Sequence, residues 1–480
     1  MRTIVAAALE AADAAGASSA DVRIVDTITQ SLSLRTGRVE EVSSSASFGF
    51  GVRVLTDGAW GFASSSSVTE AEAVRIAREA VAIARAGAMI LGTPVVLAEL
   101  RPQHGRWEGP CTIDPFDIPV ERKLEVLAAA DTALRTEAAG KGSHAHMGFV
   151  KVNKVFASSI GTYVEQAYWE SGAGLAAYAV GDEVLPRSYP NSHGGDHVQG
   201  GWETIEAMDL LGNAPRVSEQ AAALLTAKAC PSTTTTLVID GSQLALQVHE
   251  SIGHPTELDR VLGEEAAFAG TSFLELADLG SLRYGSSAVN VTADATIGGS
   301  IGSFGWDDEG VPAQRDTLVT EGVLTGFLGS RETAPLIGRA SNGCMRAEGW
   351  NRIPLVRMTT VSLEPGDAGT LDDLIADTDE GIYVETNNVW SIDDRRLNFQ
   401  FATEIGWEIK NGKLGAMVKA PNYTGITPKF WNSCDAVCGP SAWRVWGLNN
   451  CGKGEPMQIA HVAHGAAPAR FREVEIGVGR

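Results

Sequence analysis

Basic residues are scarce in this chain. Against 59 Asp and Glu it carries 38 Lys and Arg, a formal net charge of −21 over 480 residues. A sequence-independent grip on nucleic acid needs a cationic surface that displaces counterions, so no nucleic-acid partner is expected. The same deficit argues against an anionic membrane surface. Long apolar runs are also missing. None reaches the roughly 18 residues that a spanning helix needs, so no membrane segment is expected. The first ten residues briefly imitate a signal peptide, but Glu10 and Asp13 interrupt the apolar run, and Ile4, Ala8, Leu9 and Ala12 repeat as on a helix. Cysteine is thin as well: six residues, at 111, 230, 344, 434, 438 and 451, do not make a dense disulfide framework. Reduced thiols in a cytoplasmic protein are the expectation.

What is present is ordinary globular composition, 44% hydrophobic and 20% charged, on a chain long enough for two domains. Residues 2 to 15 read as a helix. Asp21 to Val25, Ser31 to Arg35 and Phe48 to Leu55 alternate as strands do, and Thr56-Asp57-Gly58 is a hairpin turn signal. Thr69 is placed to cap a helix running through Arg85. Five prolines between 91 and 119 mark a crossing segment. A second round follows, with a helix over 121–137, strands over 146–156 and 162–178, and helices near 203–212 and 216–229. Residues 179 to 197 show no clear period, and His193 and His197 read as exposed loop residues. Beyond Thr233 strand signals predominate after about residue 275, and seven of the eleven tryptophans lie after residue 300. The expected fold is α+β, with an N-terminal α/β domain over 1–230 and a C-terminal antiparallel β-rich domain over 231–480.

The stretch that organises the second part is residues 238 to 255. An apolar strand ends at Asp240, Ser242 is expected to cap the next helix, and Leu244, Val248 and Ile252 form its buried stripe. Off that stripe stand His249, Glu250 and His254, two imidazoles and a carboxylate suited to a hydrolytic metal site. The histidines lie five apart. On a regular helix the second ring would sit about 140° from the first, so a π-bulge or a kink around Gly253 and Pro255 is expected. Without it the pair would be ordinary polar residues at a helix end.

His249-Glu250-Ser251-Ile252-Gly253-His254 resembles the H-E-x-x-x-H signature of the TldD/PmbA family of metallopeptidases. The likeness continues through Asp307 to Pro312, Gly322 to Phe327, Gly381 to Val384, Glu404 to Gly406 and Asn450 to Lys453. It therefore covers most of residues 233 to 455, and the motif places the chain with the catalytic branch. The resemblance implies Zn2+ held by His249, His254 and Cys451, with Glu250 as the general base and a fourth position for water. It implies peptidase activity on short or unfolded peptides, and a homo- or hetero-oligomer with a related TldD/PmbA subunit. Lys453 would help keep the Cys451 sulfur as thiolate. The alternative is a non-enzymatic regulatory or binding subunit with a structural metal.

Rival sites carry blander readings. Gly298 to Gly305 lacks the ending of a phosphate loop and reads as a flexible loop beside the site. Asp307, Asp308 and Glu309 read as a solvated turn. Cys434 and Cys438 read as free thiols, a zinc knuckle with His461 and His464 being the weaker option. Arg346, Arg352 and Arg357 are open between receiving a substrate carboxylate and pairing with surface acids.

Overall fold

Left-handed backbone at two tight turns sets the register of the first sheet. Thr36 and Gly37 (φ 49° and 78°) join β1 (Ser19–Arg35) to β2 (Arg38–Thr56), and Asp57 and Gly58 (φ 53° and 77°) join β2 to β3 (Ala59–Ser65). Both central residues of such a turn need positive φ, which suits it to the right-handed twist of paired strands. The computed structural model describes residues 1–90, 92–135, 140–192, 194–268 and 270–477. The first sheet continues through β4 (His104–Glu108), β5 (Gly140–Ser158), β6 (Tyr163–Val180), β7 (Val184–Tyr189) and β8 (Asp196–Gln199). Its order is β3-β2-β1-β5-β6-β4, with β7 and β8 also paired to β6.

Two helix groups cover this sheet. Helices α1 (Arg2–Ala14) and α2 (Glu70–Ala88) pack on Val22, Ile24, Val52 and Val54. Helices α3 (Val120–Leu134), α4 (Trp202–Ala207) and α5 (Leu210–Leu224) pack on Leu32, Leu34, Met147 and Leu175. Thr69 caps α2 by accepting from the Glu72 N–H, with Glu70 and Glu72 in the favourable first turn. Three expectations are corrected. The two segments of β1 are one continuous strand, because residues 26–30 pair with β2 on one side and β5 on the other. Residues 179–197 are not patternless: they contribute β7 and the first half of β8, and His197 is on β8, half-buried. His193 lies outside the described residues.

The second sheet is centred on β10 (Thr233–Ile239), which also precedes the motif helix. β10 pairs antiparallel with Ala469–Ile476 and parallel with Glu380–Ile392. A second parallel pair joins β9 (Lys228–Ala229) to Lys413–Lys419, so the sheet is mixed at these two points and antiparallel elsewhere. Asn411 and Gly412 make a tight turn, with φ 49° and 70°. A separate hairpin, Arg444–Lys453 with Gln458–Ala466, carries Cys451 and His464. Strand-rich packing with helices gathered on the sheets makes the chain α+β.

The Asp307-Asp308-Glu309 loop joins the two halves, and it is not solvated. All three side chains are buried. Asp308 Oδ1 accepts from Lys154 Nζ on β5 at 2.8 Å, with Arg23 Nη1 of β1 3.8 Å from its other oxygen. Glu309 faces Arg53 of β2 at 3.3 Å. The Gly298 to Gly305 segment is likewise a packed connection. Ile301 is buried, Ser300 bonds Thr360, and a Cβ on Gly305 would stand 2.5 Å from Trp107.

Candidate metal centre

Helix α6 (Gly241–Val248) starts at Asp240, not Ser242. The Asp240 carboxylate is the cap and accepts from the Ser242 N–H at 2.8 Å. Every residue of α6 is buried, including polar Gln243 and Gln247, whose amides bond the Tyr423 hydroxyl at 2.8 and 3.0 Å. Buried amides need such partners, so the helix is fixed around its whole circumference.

The next five residues, His249–Gly253, form one π-helical turn, followed by a 3₁₀ turn over His254–Thr256. The wider turn brings together two rings that a regular helix would hold apart. Their centroids are 4.6 Å apart and nearly perpendicular. Gly253 serves a different purpose from the one expected. Its backbone is ordinary helix (φ −57°), but a Cβ there would stand 2.0 Å from Met358 Sδ. The glycine makes room for the buried Met358 side chain rather than permitting unusual dihedrals.

His249, His254 and Cys451, all buried, each offer a ligand atom, and these atoms lie within 4.8 Å of one another. Among the described residues this is the group of three or more His, Cys, Asp or Glu side chains that meets such spacing. Cys451 Sγ stands 3.7 Å from His254 Nε2. Zn–S and Zn–N bonds of about 2.3 and 2.0 Å at a tetrahedral angle require about 3.5 Å between such atoms, so the pair fits a zinc ion with little movement.

The outer nitrogens of both histidines are pinned. His464 Nδ1 lies 2.9 Å from the Val361 carbonyl and must donate to it. Its Nε2 is therefore an acceptor, and His249 Nδ1, 2.8 Å away, carries the proton that fills it. His254 Nδ1 donates to Glu257 Oε2 at 2.9 Å. In both ligands Nε2 is left with its lone pair, the state a metal needs. Burial pushes the His249 imidazole down to about 4, which keeps it neutral.

Electrostatics favour the same assignment. Burial opposes charge on Glu257, but Lys453, His254 and Arg260 outweigh it and hold the carboxyl well below the usual range. Burial would raise the Cys451 thiol, yet His254 and Arg357 bring it below its ordinary value. Lys453, expected to help keep the sulfur as thiolate, directs its charge elsewhere. Its ammonium, fully buried, bonds Asp259 at 2.8 Å and the Val356 carbonyl at 2.7 Å. Arg346 and Arg357 are bound to backbone carbonyls, Arg357 to those of Gln458 and Cys451 and Arg346 to those of Met358 and His461. Neither projects as a free carboxylate receptor. Arg352 also donates nothing to the site and lies 3.9 Å from Glu348.

Glu250 is buried beside His249. Its Oε1 accepts from Trp390 Nε1 at 2.8 Å and its Oε2 from Arg396 Nη1 at 2.7 Å. Burial works against its charge, but His249 and Arg396 keep the carboxyl below its ordinary value, so it is ionised at neutral pH. Cys434 and Cys438 are free thiols, and no knuckle forms: His464 faces His249, while His461 is paired with Glu170. The sequence reading missed His464, Glu257, Trp390 and Arg396 as members of the site. Glu257 had a local signal, three residues after His254 where a helical turn returns. Trp390 and Arg396 come from a distant hairpin and had none.

Comparison with known proteins agrees. Residues 232–477 match the PmbA/TldA metallopeptidase C-terminal domain, and residues 20–84 match PmbA/TldA metallopeptidase domain 1. A metalloprotease of Methanothermobacter thermautotrophicus is 30% identical over 467 residues, covering 95% of each chain. One from Methanocaldococcus jannaschii is 30% identical over 419 residues, 87% of this chain and 89% of the relative. Among solved structures, a Thermotoga maritima protein described as a modulator of DNA gyrase superposes with a TM-score of 0.75 at 17% identity, covering 96% of both chains. TldE of Thermococcus kodakarensis does so with a TM-score of 0.71 at 14% identity, covering 98% of both. At those identities the structures establish the fold alone. With the sequence matches spanning both parts of the chain, it belongs to the TldD/PmbA family of metallopeptidases.

Proposed function

We propose that this chain is a zinc-dependent peptidase acting on short or unfolded peptides, with His249, His254 and Cys451 holding the ion. The observation that carries this is the convergence of two Nε2 lone pairs and a lowered thiol in one buried cluster beside an ionised glutamate. Three protein ligands fit a catalytic better than a structural zinc, which takes four. When bound, zinc supplies a Lewis acid that polarises a carbonyl and acidifies water. The chain's own work falls to Glu250, which accepts the proton of the attacking water and passes it to the leaving amine. Trp390 and Arg396 hold that carboxylate in place and ionised. His464 and Glu257 orient the imidazoles.

We further propose a domain boundary near residue 230 and assembly with a related TldD/PmbA subunit or a second copy. No helix in the described structure is long and apolar enough to cross a membrane.

The test is Glu250→Gln, which keeps the shape and removes the base. Zinc content and melting temperature should stay at native values while peptide turnover falls ~10²–10⁴-fold. Native cleavage rates from the fully loaded variant would leave a structural metal in a binding subunit as the better reading. A native chain that binds no zinc would remove the proposal altogether.

A further inference from the structure

A narrow slot lies beside the metal centre along the N-terminal half of α6, bordered by Trp390, which bonds Glu250, and by His464, which bonds His249. Its floor is Ser242, Ala245 and Leu246, and its walls include Trp390, Trp446 and Leu448. His464 and Asn450, close to the ligands, also border it.

The slot has two unusual properties. First, among its fifteen described lining residues there is no Asp, Glu, Lys or Arg, although a fifth of the chain is charged. A larger cavity of about 360 Å³ elsewhere, bordered by Arg23, Lys154, Glu170, Arg346 and Glu348, shows that the chain does place charges in its cavities. Second, the slot is small. Its volume of about 30 Å³ holds about two or three water-sized groups, so it admits a side chain of one to three heavy atoms.

We infer that this slot is a specificity site that receives one small, uncharged side chain of the peptide substrate next to the scissile bond. Leu246 and Leu448 set its size. A charged side chain entering the slot would lose its hydration with no counter-charge to meet it. A bulky one would collide with α6. The inference rests on the peptidase reading above.

The experiment uses the zinc-loaded full-length protein and a set of peptides identical except at one position, which carries Ala, Ser, Val, Leu, Phe, Asp or Lys. The position is moved in turn to either side of the cleaved bond, and cut sites are mapped by mass spectrometry. At one position Ala, Ser or Val should exceed Asp, Lys and Phe in kcat/KM by at least the ~10–200-fold that pocket fit supplies. Leu246→Ala should shift the ratio of Leu to Ala cleavage toward Leu by about tenfold or more. Equal cleavage across the set, or an unmoved ratio in Leu246→Ala, would overturn the inference. Binding of the same peptides to zinc-loaded Glu250→Gln, read by tryptophan fluorescence, separates the two claims. Selective binding without any cleavage by the native chain would sink the peptidase reading and keep the slot. Indiscriminate binding would sink the slot.

Discussion

At the residue scale, the decisive atoms are the outer ring nitrogens. A histidine ligates through one nitrogen only if its other nitrogen has somewhere to put its proton, and His464 and Glu257 supply those places. His464→Phe keeps a ring in the space but removes the acceptor that fixes His249. Zinc affinity, measured by competition with a chromogenic chelator, should fall about 10–100-fold. Unchanged affinity would show that His249 needs no such support. A second residue-scale prediction concerns His146 on β5, whose ring nitrogens are both buried and whose imidazole is pushed by burial from 6.5 down to about 4. Above pH 6.5 the ring is neutral in folded and unfolded chains alike, and it adds no pH dependence. Between about 6.5 and 4 the unfolded chain takes up a proton that the folded chain refuses, so stability is lost as pH falls. His146→Leu cannot titrate. Its melting temperature relative to the native protein should be flat above pH 6.5 and move in its favour on acidification toward pH 4. A difference that stays constant across that range would mean the ring protonates freely in the fold.

At the scale of the element, the five-residue spacing of His249 and His254 was legible as a demand for an irregular helix, and the π turn meets it. The reason for Gly253 was not legible, because Met358 arrives from a strand-rich segment more than a hundred residues away. Propensity alone would have Gly253→Ala stabilise a helix by about 0.8–1.0 kcal/mol. Sterics oppose it: the new methyl would stand 2.0 Å from Met358 Sδ, and Met358 is fully buried with little room to turn. Overpacking of this kind costs about 1–3 kcal/mol, so the collision outweighs the propensity. Gly253→Ala should lower the melting temperature and weaken zinc binding, and adding Met358→Ala should restore part of the zinc affinity by clearing the space. If the single variant is more stable than the native chain and binds zinc as well, the close approach has no consequence. The same limit explains the misread elements of the first sheet. Residues 26–30, polar except for Ile28, interrupt the apolar alternation of β1 yet are held by strands on both sides, and only the partners reveal one long strand. Within the site, the motif residues share a short stretch of sequence and could be read from it. Trp390 and Arg396 meet Glu250 only through the fold.

At the scale of the whole molecule, charge is used to join the halves of the chain. Three consecutive acids suggested a solvated turn because isolated carboxylates are seldom buried. Here each is buried: Arg23 and Lys154 of β1 and β5 face Asp308, Arg53 of β2 faces Glu309, and Asp307 accepts the backbone N–H groups of Glu309, Val311 and Met345. Asp308 is the best-defined member. Burial opposes its charge, but Lys154 and Arg23 keep the carboxyl below its ordinary value, and its second oxygen accepts from the Ala347 N–H at 2.8 Å. The loop therefore bonds the first sheet on one side and the segment leading into the strands around the metal on the other. Removing one partner of such a pair leaves the others buried without compensation, at about 3–5 kcal/mol, far more than an exposed ion pair contributes. Asp308→Ala should thus lower the melting temperature by several degrees. Exposed Glu79, paired with Arg75 at 2.7 Å on α2, provides the control, and Glu79→Ala should be nearly silent. The salt response distinguishes the two as well. Added salt should screen the surface pair and leave the buried one largely unaffected. Equal, small effects from both substitutions would mean that the two halves hold together through apolar packing alone.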